Sequence, residues 1–291
     1  MCSFELGSAT AKGGFENEKE ICEKFNNWKN DAEAKRWLSI MGYDVNQIDS
    51  VEAIHIPTRL KRKDVERLGL REDYEQLMRF KKADAQIRIK IVMGAIVKIE
   101  NLSLKMVTVR KDKNTPGYNQ VDKRWVDTYQ QLWDFDDTVA YGLKLFTGEI
   151  RPPPEITANV KLRDERRVLL NEMPKELAER IVNFFRANKI LVVSDILKGR
   201  GGLSANWMLV TKHFESENIT AWVLKDINTT MNFFGGGEVY ITRDGSLRIG
   251  RITMQRKGGD AGRPTANMLQ FKIKPCDLFK IGAENVCSRQ T

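Results

Sequence analysis

The chain has 291 residues, 41% of them hydrophobic, and a formal net charge of +9 at neutral pH. The apolar fraction excludes general disorder, and the length suffices for one elaborated domain or two closely joined ones. The basic surplus attracts polyanions and makes their binding sensitive to salt. In chain order, the first expected element is a helix over residues 13–28. Glu18, Ile21, Cys22, Phe25 and Trp28 fall on one stripe at helical spacing. Glu18 is then the acid at the buried edge, while Glu16, Glu20 and Glu23 read as solvated. A plain role is equally open for Glu18, since an acid favours the positive end of a helix dipole. A second helix runs from Glu33 to Met41 and stops at Gly42. Ser50–Pro57 reads as an edge strand, Lys61-Arg-Lys63 as a basic surface, and Arg71–Met78 as a short helix.

The next two strands carry the most chemistry. Ala85, Ile87, Ile89 and Ile91 alternate with Asp84, Gln86, Arg88 and Lys90, so one face is apolar and the other polar. After a turn at Gly94, Leu102, Leu104 and Met106 share a face, and Asn101, Ser103 and Lys105 share the other. An ordinary half-exposed hairpin gives the same alternation. The functional reading is that Asp84 and Lys105 converge, with a divalent metal and a water between them, beside a phosphodiester. Glu100 has the wrong parity to join Lys105 without a bulge.

A polar loop follows, Lys111 to Gln120, placing Asn119, Gln120, Lys123 and Arg124 near the mouth of such a site, or simply capping the next helix. Val121–Phe146 is expected to be helical, broken near Asp134–Asp137, with Trp125, Tyr129, Leu132, Trp133, Val139, Leu143 and Phe146 as core. Arg151-Pro-Pro-Pro154 is a stiff breaker and the best boundary. It divides the chain into 1–150, a catalytic core, and 151–291, a continuation of the core sheet with a basic recognition region. Pro174 opens a helix, Ile190–Val193 reads as a short buried strand, and Lys198-Gly-Arg-Gly-Gly202 is a basic glycine turn without the ending of a nucleotide loop. Strands are expected at 207–210, 222–224 and 239–242, with a hairpin turn at Arg243-Asp-Gly-Ser246.

The stretch from Thr253 to Pro275 then gathers Gln255, Arg256, Lys257, Asp260, Arg263, Asn267, Gln270 and Lys272 around glycines. Arginine reads guanine, asparagine and glutamine read adenine, and lysine binds phosphate, so these side chains suit double-stranded DNA. A solvated basic hairpin is the plain alternative. Cys2, Cys22, Cys276 and Cys287 form no C-x-x-C pair and read as reduced thiols of a cytoplasmic protein. There is no apolar run long enough for a membrane span and no signal-peptide pattern, so no membrane partner is expected. His55 and His213 are too few for a histidine-metal nuclease and read as ordinary histidines.

Asp84 followed by Ser103-Leu-Lys105 resembles the PD-(D/E)XK motif in the variant form of some type II restriction endonucleases. Some that cut four-base sites carry Asn, Gln or Ser where the usual motif has an acid. The helix from Gly13 to Trp28 resembles the opening helix of these nucleases, which often carries an inward glutamate. The Gln255-Arg-Lys-Gly-Gly-Asp260 block resembles one that lies against DNA near the end of several of them. The resemblance implies an α/β fold, a central mixed β-sheet flanked by helices, with an elaborated C-terminal DNA-recognition region. It implies a site-specific, Mg²⁺-dependent endonuclease leaving 5′-phosphate and 3′-hydroxyl ends, with Asp84 and Glu18 holding the metal. Lys105 would then orient water and Ser103 would position it. A non-catalytic DNA-binding protein and a repair or junction nuclease stay open, as does the choice between monomer and dimer.

Overall fold

The computed structural model describes residues 16–57, 60–70, 74, 86–109, 117–158, 160–214, 219–259, 262–282 and 285–288. These form a mixed α/β protein with two sheets, grouped into two compact units. One unit takes in the chain up to Asn119, Leu197–Thr230, and the chain from Lys274. The other takes in Gln120–Ile196 and Met231–Ile273. The boundary expected near residue 150 lies inside the second unit.

The first unit is built on a six-stranded sheet. Its strands are β1 (Ser50–Ile56), β2 (Gln86–Met93), β3 (Ile96–Val109), β5 (Trp207–Phe214), β6 (Ile219–Asp226) and β11 (Asn285–Ser288), in spatial order β1-β2-β3-β5-β6-β11. Every pair is antiparallel except β3 with β5, so the sheet is mixed, and β5, β6 and β11 join it from the later part of the chain. On one face Ile87, Ile89, Ile91 and Leu102 are fully buried. Helix α1 (residues 16–26) covers this face with Ile21, Phe25 and Trp28, the last just beyond the helix, and α2 (Ala32–Ile40) adds Trp37 and Leu38. Burying such a side chain stabilises by roughly 1.5–3 kcal/mol. Asp31 caps α2, accepting from the Ala34 amide at 2.8 Å, and Gly42 turns the chain away at φ +90°. A smaller cluster of Ile56, Leu60, Leu68 and Leu203 packs with α3 (Arg62–Arg67), so the basic Lys61–Lys63 stretch begins a helix. The helix expected at 71–78 lies outside the described residues except at Tyr74.

The second unit holds a five-stranded antiparallel sheet with β4 (Asn119–Arg124), β7 (Val239–Ile241), β8 (Leu247–Ile249), β9 (Ile252–Arg256) and β10 (Leu269–Ile273), in the order β4-β10-β9-β8-β7. Phe271 of β10 meets Tyr129 and Trp133 of α4 (Val126–Trp133) edge-on at 5.4 and 5.7 Å. Phe185 of α6 (Lys175–Ala187) closes the same cluster at 6.1 Å from Trp133. The aromatic stripe is therefore core, together with Val139, Leu143 and Phe146 of α5 (Asp137–Thr147). Pro174 is the residue before α6 rather than its first residue.

Two elements differ from expectation. Residues 121–124 lie in β4, not in a helix. Val121 is the sole apolar residue of that strand, so no alternation marked it. Ile190–Val193 belongs to the helix α7 (Lys189–Leu197). A run of four apolar residues fits a strand or a buried helix equally well. The neighbouring residues decide: Val192, Val193, Ile196 and Leu197 make one buried helical stripe, and Ile190 is 85% exposed.

Candidate active site and nucleic-acid interface

The hairpin of β2 and β3 pairs Gln86 with Ser103 and Arg88 with Asn101. Directly paired residues point to the same face, so Gln86, Arg88, Asn101, Ser103 and Lys105 form one polar set, opposite Leu102 and Leu104. This face is not solvated. Gln86 and Ser103 are completely buried, and Lys105 is only 4% exposed. The glycine turn at 201–204 seals much of it. Gln86 Nε2 donates to the Leu203 carbonyl at 2.9 Å, and Asn101 Nδ2 donates to the carbonyls of Gly202 and Ser204, each at 2.9 Å. Arg88 Nη1 donates to the Gly202 carbonyl at 2.9 Å and to Asn101 Oδ1 at 3.2 Å. Among the described residues, the Oε1 of Gln86 is buried without a hydrogen-bond partner.

A lysine is almost never buried so far unless its charge is engaged. Lys105 is therefore the buried cation of this polar face. Asp84 lies outside the described residues. Lys105 stands two residues after Ser103, and Asp84 precedes by two residues the partner of Ser103, Gln86.

Glu18 lies elsewhere. Its carboxylate contacts Nε2 of His55 on β1. His55 pairs with Ile87, which places both on the face covered by α1. Ser103 and Lys105 belong to the opposite face, so the expected metal ligand Glu18 has another partner, and His55 is more than an isolated histidine. Glu100 also lies away from Lys105, as its parity required. It accepts from Tyr43 Oη at 2.6 Å and Trp207 Nε1 at 3.0 Å, and burial together with this carboxylate pushes the Tyr43 phenol up. Burial pushes the Cys22 thiol up to about 12, which suits an inert core thiol. Among the described residues, no group of three His, Cys, Asp or Glu side chains could hold a metal ion.

The residues expected at DNA divide into two groups. Gln255 pairs with Gln270 and Thr253 with Lys272, so these share one face of the second sheet. Gln270 Nε2 donates to Gln120 Oε1 at 2.6 Å, joining two segments far apart in sequence. Burial, then the nearby Lys257 ammonium, lowers the Lys272 pKa, so the two lysines share one positive field. Arg263 is exposed and Lys123 half-buried. Asn119, in the first unit, donates from Nδ2 to the Met106 carbonyl at 2.9 Å. Asp260 lies outside the described residues.

Arg256 and Asn267 form the second group. Arg256 is directed inward on a side chain only 13% exposed. Its Nη2 donates to Asn267 Oδ1 at 2.7 Å, and Asn267 Nδ2 donates to the Gly148 carbonyl at 2.8 Å. Both ends of the Asn267 amide are thus used within the protein, and adenine reading by Asn267 is not available in this arrangement. No motif or spacing pointed to the acid beneath Arg256. Asp164 Oδ2 lies 3.8 Å from Arg256 Nη1.

Arg166 holds the Asp164 carboxyl at about 2, below its ordinary 3.8. A depressed carboxyl favours the folded protein above its ordinary range, and that contribution disappears as pH falls from about 4 to about 2. Asp164→Asn is therefore expected to flatten the acid limb of the stability curve across that interval. Denaturant titrations at stepped pH check this, and an unchanged limb contradicts it.

Two helix-flanked sheets, a buried lysine on a polar strand pair and a glutamine- and lysine-bearing second sheet are consistent with an α/β nuclease. The R.HinP1I restriction endonuclease family matches residues 75–279, more than half of the chain, and the protein belongs to that family. It is therefore a type II restriction enzyme, a hydrolase that acts on double-stranded DNA. The matched span contains Asp84, Ser103, Lys105 and the Gln120–Gln270 pair, but not Glu18. No curated protein matches the chain closely enough to extend this assignment. No helix among the described residues is long and apolar enough to cross a membrane.

Proposed function

We propose that the protein is a site-specific, magnesium-dependent endonuclease with a variant PD-(D/E)XK centre formed by Asp84, Ser103 and Lys105. The burial of Lys105 on the polar face of β3 carries this reading. Asp84 supplies the hard carboxylate oxygen that magnesium prefers. Magnesium, when bound, neutralises charge on the phosphate and acidifies water. The Lys105 ammonium orients the attacking water and stabilises the negative charge that develops on the phosphate. Ser103, a neutral oxygen where the usual motif has an acid, helps position water. Glu18 is assigned to holding α1 against β1 through His55. Gln255, Lys257 and Lys272 face the duplex from the second sheet, with Gln120 held in place by the buried Gln270. Hydrolysis leaves 5′-phosphate and 3′-hydroxyl ends.

Digestion of a plasmid of known sequence, with magnesium or with EDTA, tests the reading. Discrete fragments with magnesium alone are expected. A smear would mean a nonspecific nuclease, and a shifted but uncut plasmid a DNA-binding protein.

A further inference from the structure

Asp164 gathers three arginines. Arg166 grips it with Nε at 2.8 Å from Oδ1 and Nη2 at 3.1 Å from Oδ2. Arg167 Nε donates to Oδ2 at 3.1 Å, and Arg256 approaches the same oxygen. The Arg166 amide also donates to Oδ1, at 3.2 Å. One carboxylate thus organises three guanidinium groups and leaves a surplus of two positive charges. Burial, then repulsion from Arg167 and Arg166, lowers the Arg256 pKa, as expected where guanidinium groups crowd together. These groups line a cavity of about 290 Å³. That is far larger than the ~30 Å³ a water occupies in the liquid. Its remaining wall includes Gly258 and Gly259, both at φ +63°. Among the described residues, a Cβ at either would meet nothing within 4 Å, so this part of the wall is backbone.

We propose that this cavity is a binding site for a DNA backbone phosphate, with Arg166 and Arg167 as its ligands and Asp164 as the group that positions them. Asp164 takes the Nε–Nη2 edge of Arg166 and the Nε of Arg167, and the remaining nitrogens of these planar, permanently charged groups suit phosphate oxygens. Asp164 is occupied by its arginines and so is not offered to a base edge, which favours phosphate contact over sequence reading. The site rests on the reading of the protein as a DNA-cleaving enzyme and adds an anchor remote in sequence from the catalytic motif.

The test is duplex binding in EDTA, measured between about 50 and 200 mM salt. The probes are a duplex carrying the cleavage site and one lacking it. Arg166 is 67% exposed, so Arg166→Ala spares the fold, and a melting curve checks that. Losing one phosphate contact should reduce the log–log salt slope by about 0.9 and weaken binding on the order of ten-fold at the lower salt, equally for both duplexes. Arg166→Lys should restore most of the slope. An unchanged slope and affinity in Arg166→Ala would show the arginine–aspartate cluster to be structural only. A loss confined to the cognate duplex, with the slope kept, would make it a base-reading site. Both outcomes overturn the proposal while leaving the nuclease reading intact. Failure of the parent protein to bind either duplex would overturn this site, while the nuclease reading is decided separately by digestion with magnesium.

Discussion

Lys105→Met is expected to cut DNA more slowly by on the order of 10²–10³-fold, as for loss of one transition-state charge stabiliser, while binding the duplex as tightly as the parent. Methionine is the right replacement because it keeps an unbranched apolar stem, in a side chain one atom shorter than that of lysine, and removes the ammonium. Lys105 is 4% exposed, so truncation to alanine would also open a cavity and confuse chemistry with packing. Its neighbours Ser103, Asn101 and Gln86 are held by the strand ladder and by the 201–204 turn, and the substitution leaves those bonds in place. Single-turnover cleavage with excess enzyme isolates the chemical step, and a gel shift in EDTA reads binding. A variant that cuts at the parental rate would remove Lys105 from the chemistry. A variant that loses binding in proportion would make it a DNA contact instead.

Gly250→Ala is expected to produce the largest loss of stability among single-methyl additions at the glycines of the second unit. Gly250 lies in the tight turn between β8 and β9 at φ +59°. A left-handed conformation costs an ordinary residue roughly 1–2 kcal/mol. The added Cβ would also stand 2.6 Å from the Gly236 carbonyl oxygen and 2.7 Å from Gly235 backbone atoms, which cannot rotate away. Overpacking of this kind adds a further 1–3 kcal/mol or so, giving about 3 kcal/mol in all. Gly94→Ala is the control. Its φ is +56°, but a Cβ there meets nothing within 4 Å, so only the conformational cost of about 1 kcal/mol remains. Denaturant midpoints of the two variants check the contrast, and equal losses would contradict it.

The elements that were legible in the sequence are those with a strong period. Ile87, Ile89 and Ile91 announced β2, and Ile21, Phe25 and Trp28 announced the buried side of α1. Parity alone separated Glu100 from Lys105. What was illegible depended on partners distant in the chain. β4 has a single apolar residue outside its polar pattern, and its Asp122 is stabilised in burial by Arg124 at 3.2 Å and Tyr129 at 3.1 Å. Glu18 sat on the expected stripe, yet a stripe cannot say that His55 waits on the facing strand. The basic segment from Gln255 to Lys272 looked uniform. Its residues split because strand parity turns Gln255, Gln270 and Lys272 to one side and Arg256 to the other, where Asp164 receives it. Composition reports which groups are available for DNA, but only the fold decides which of them are already occupied.

The measurement that bears most directly on the account is single-turnover cleavage of a cognate duplex by Asp84→Ala, with magnesium present and binding followed in parallel. The account predicts that cutting is abolished while the duplex is held as before, because the carboxylate serves the metal and not the DNA. Cleavage at the parental rate would contradict it, and the acid of the centre would have to be sought elsewhere in the chain.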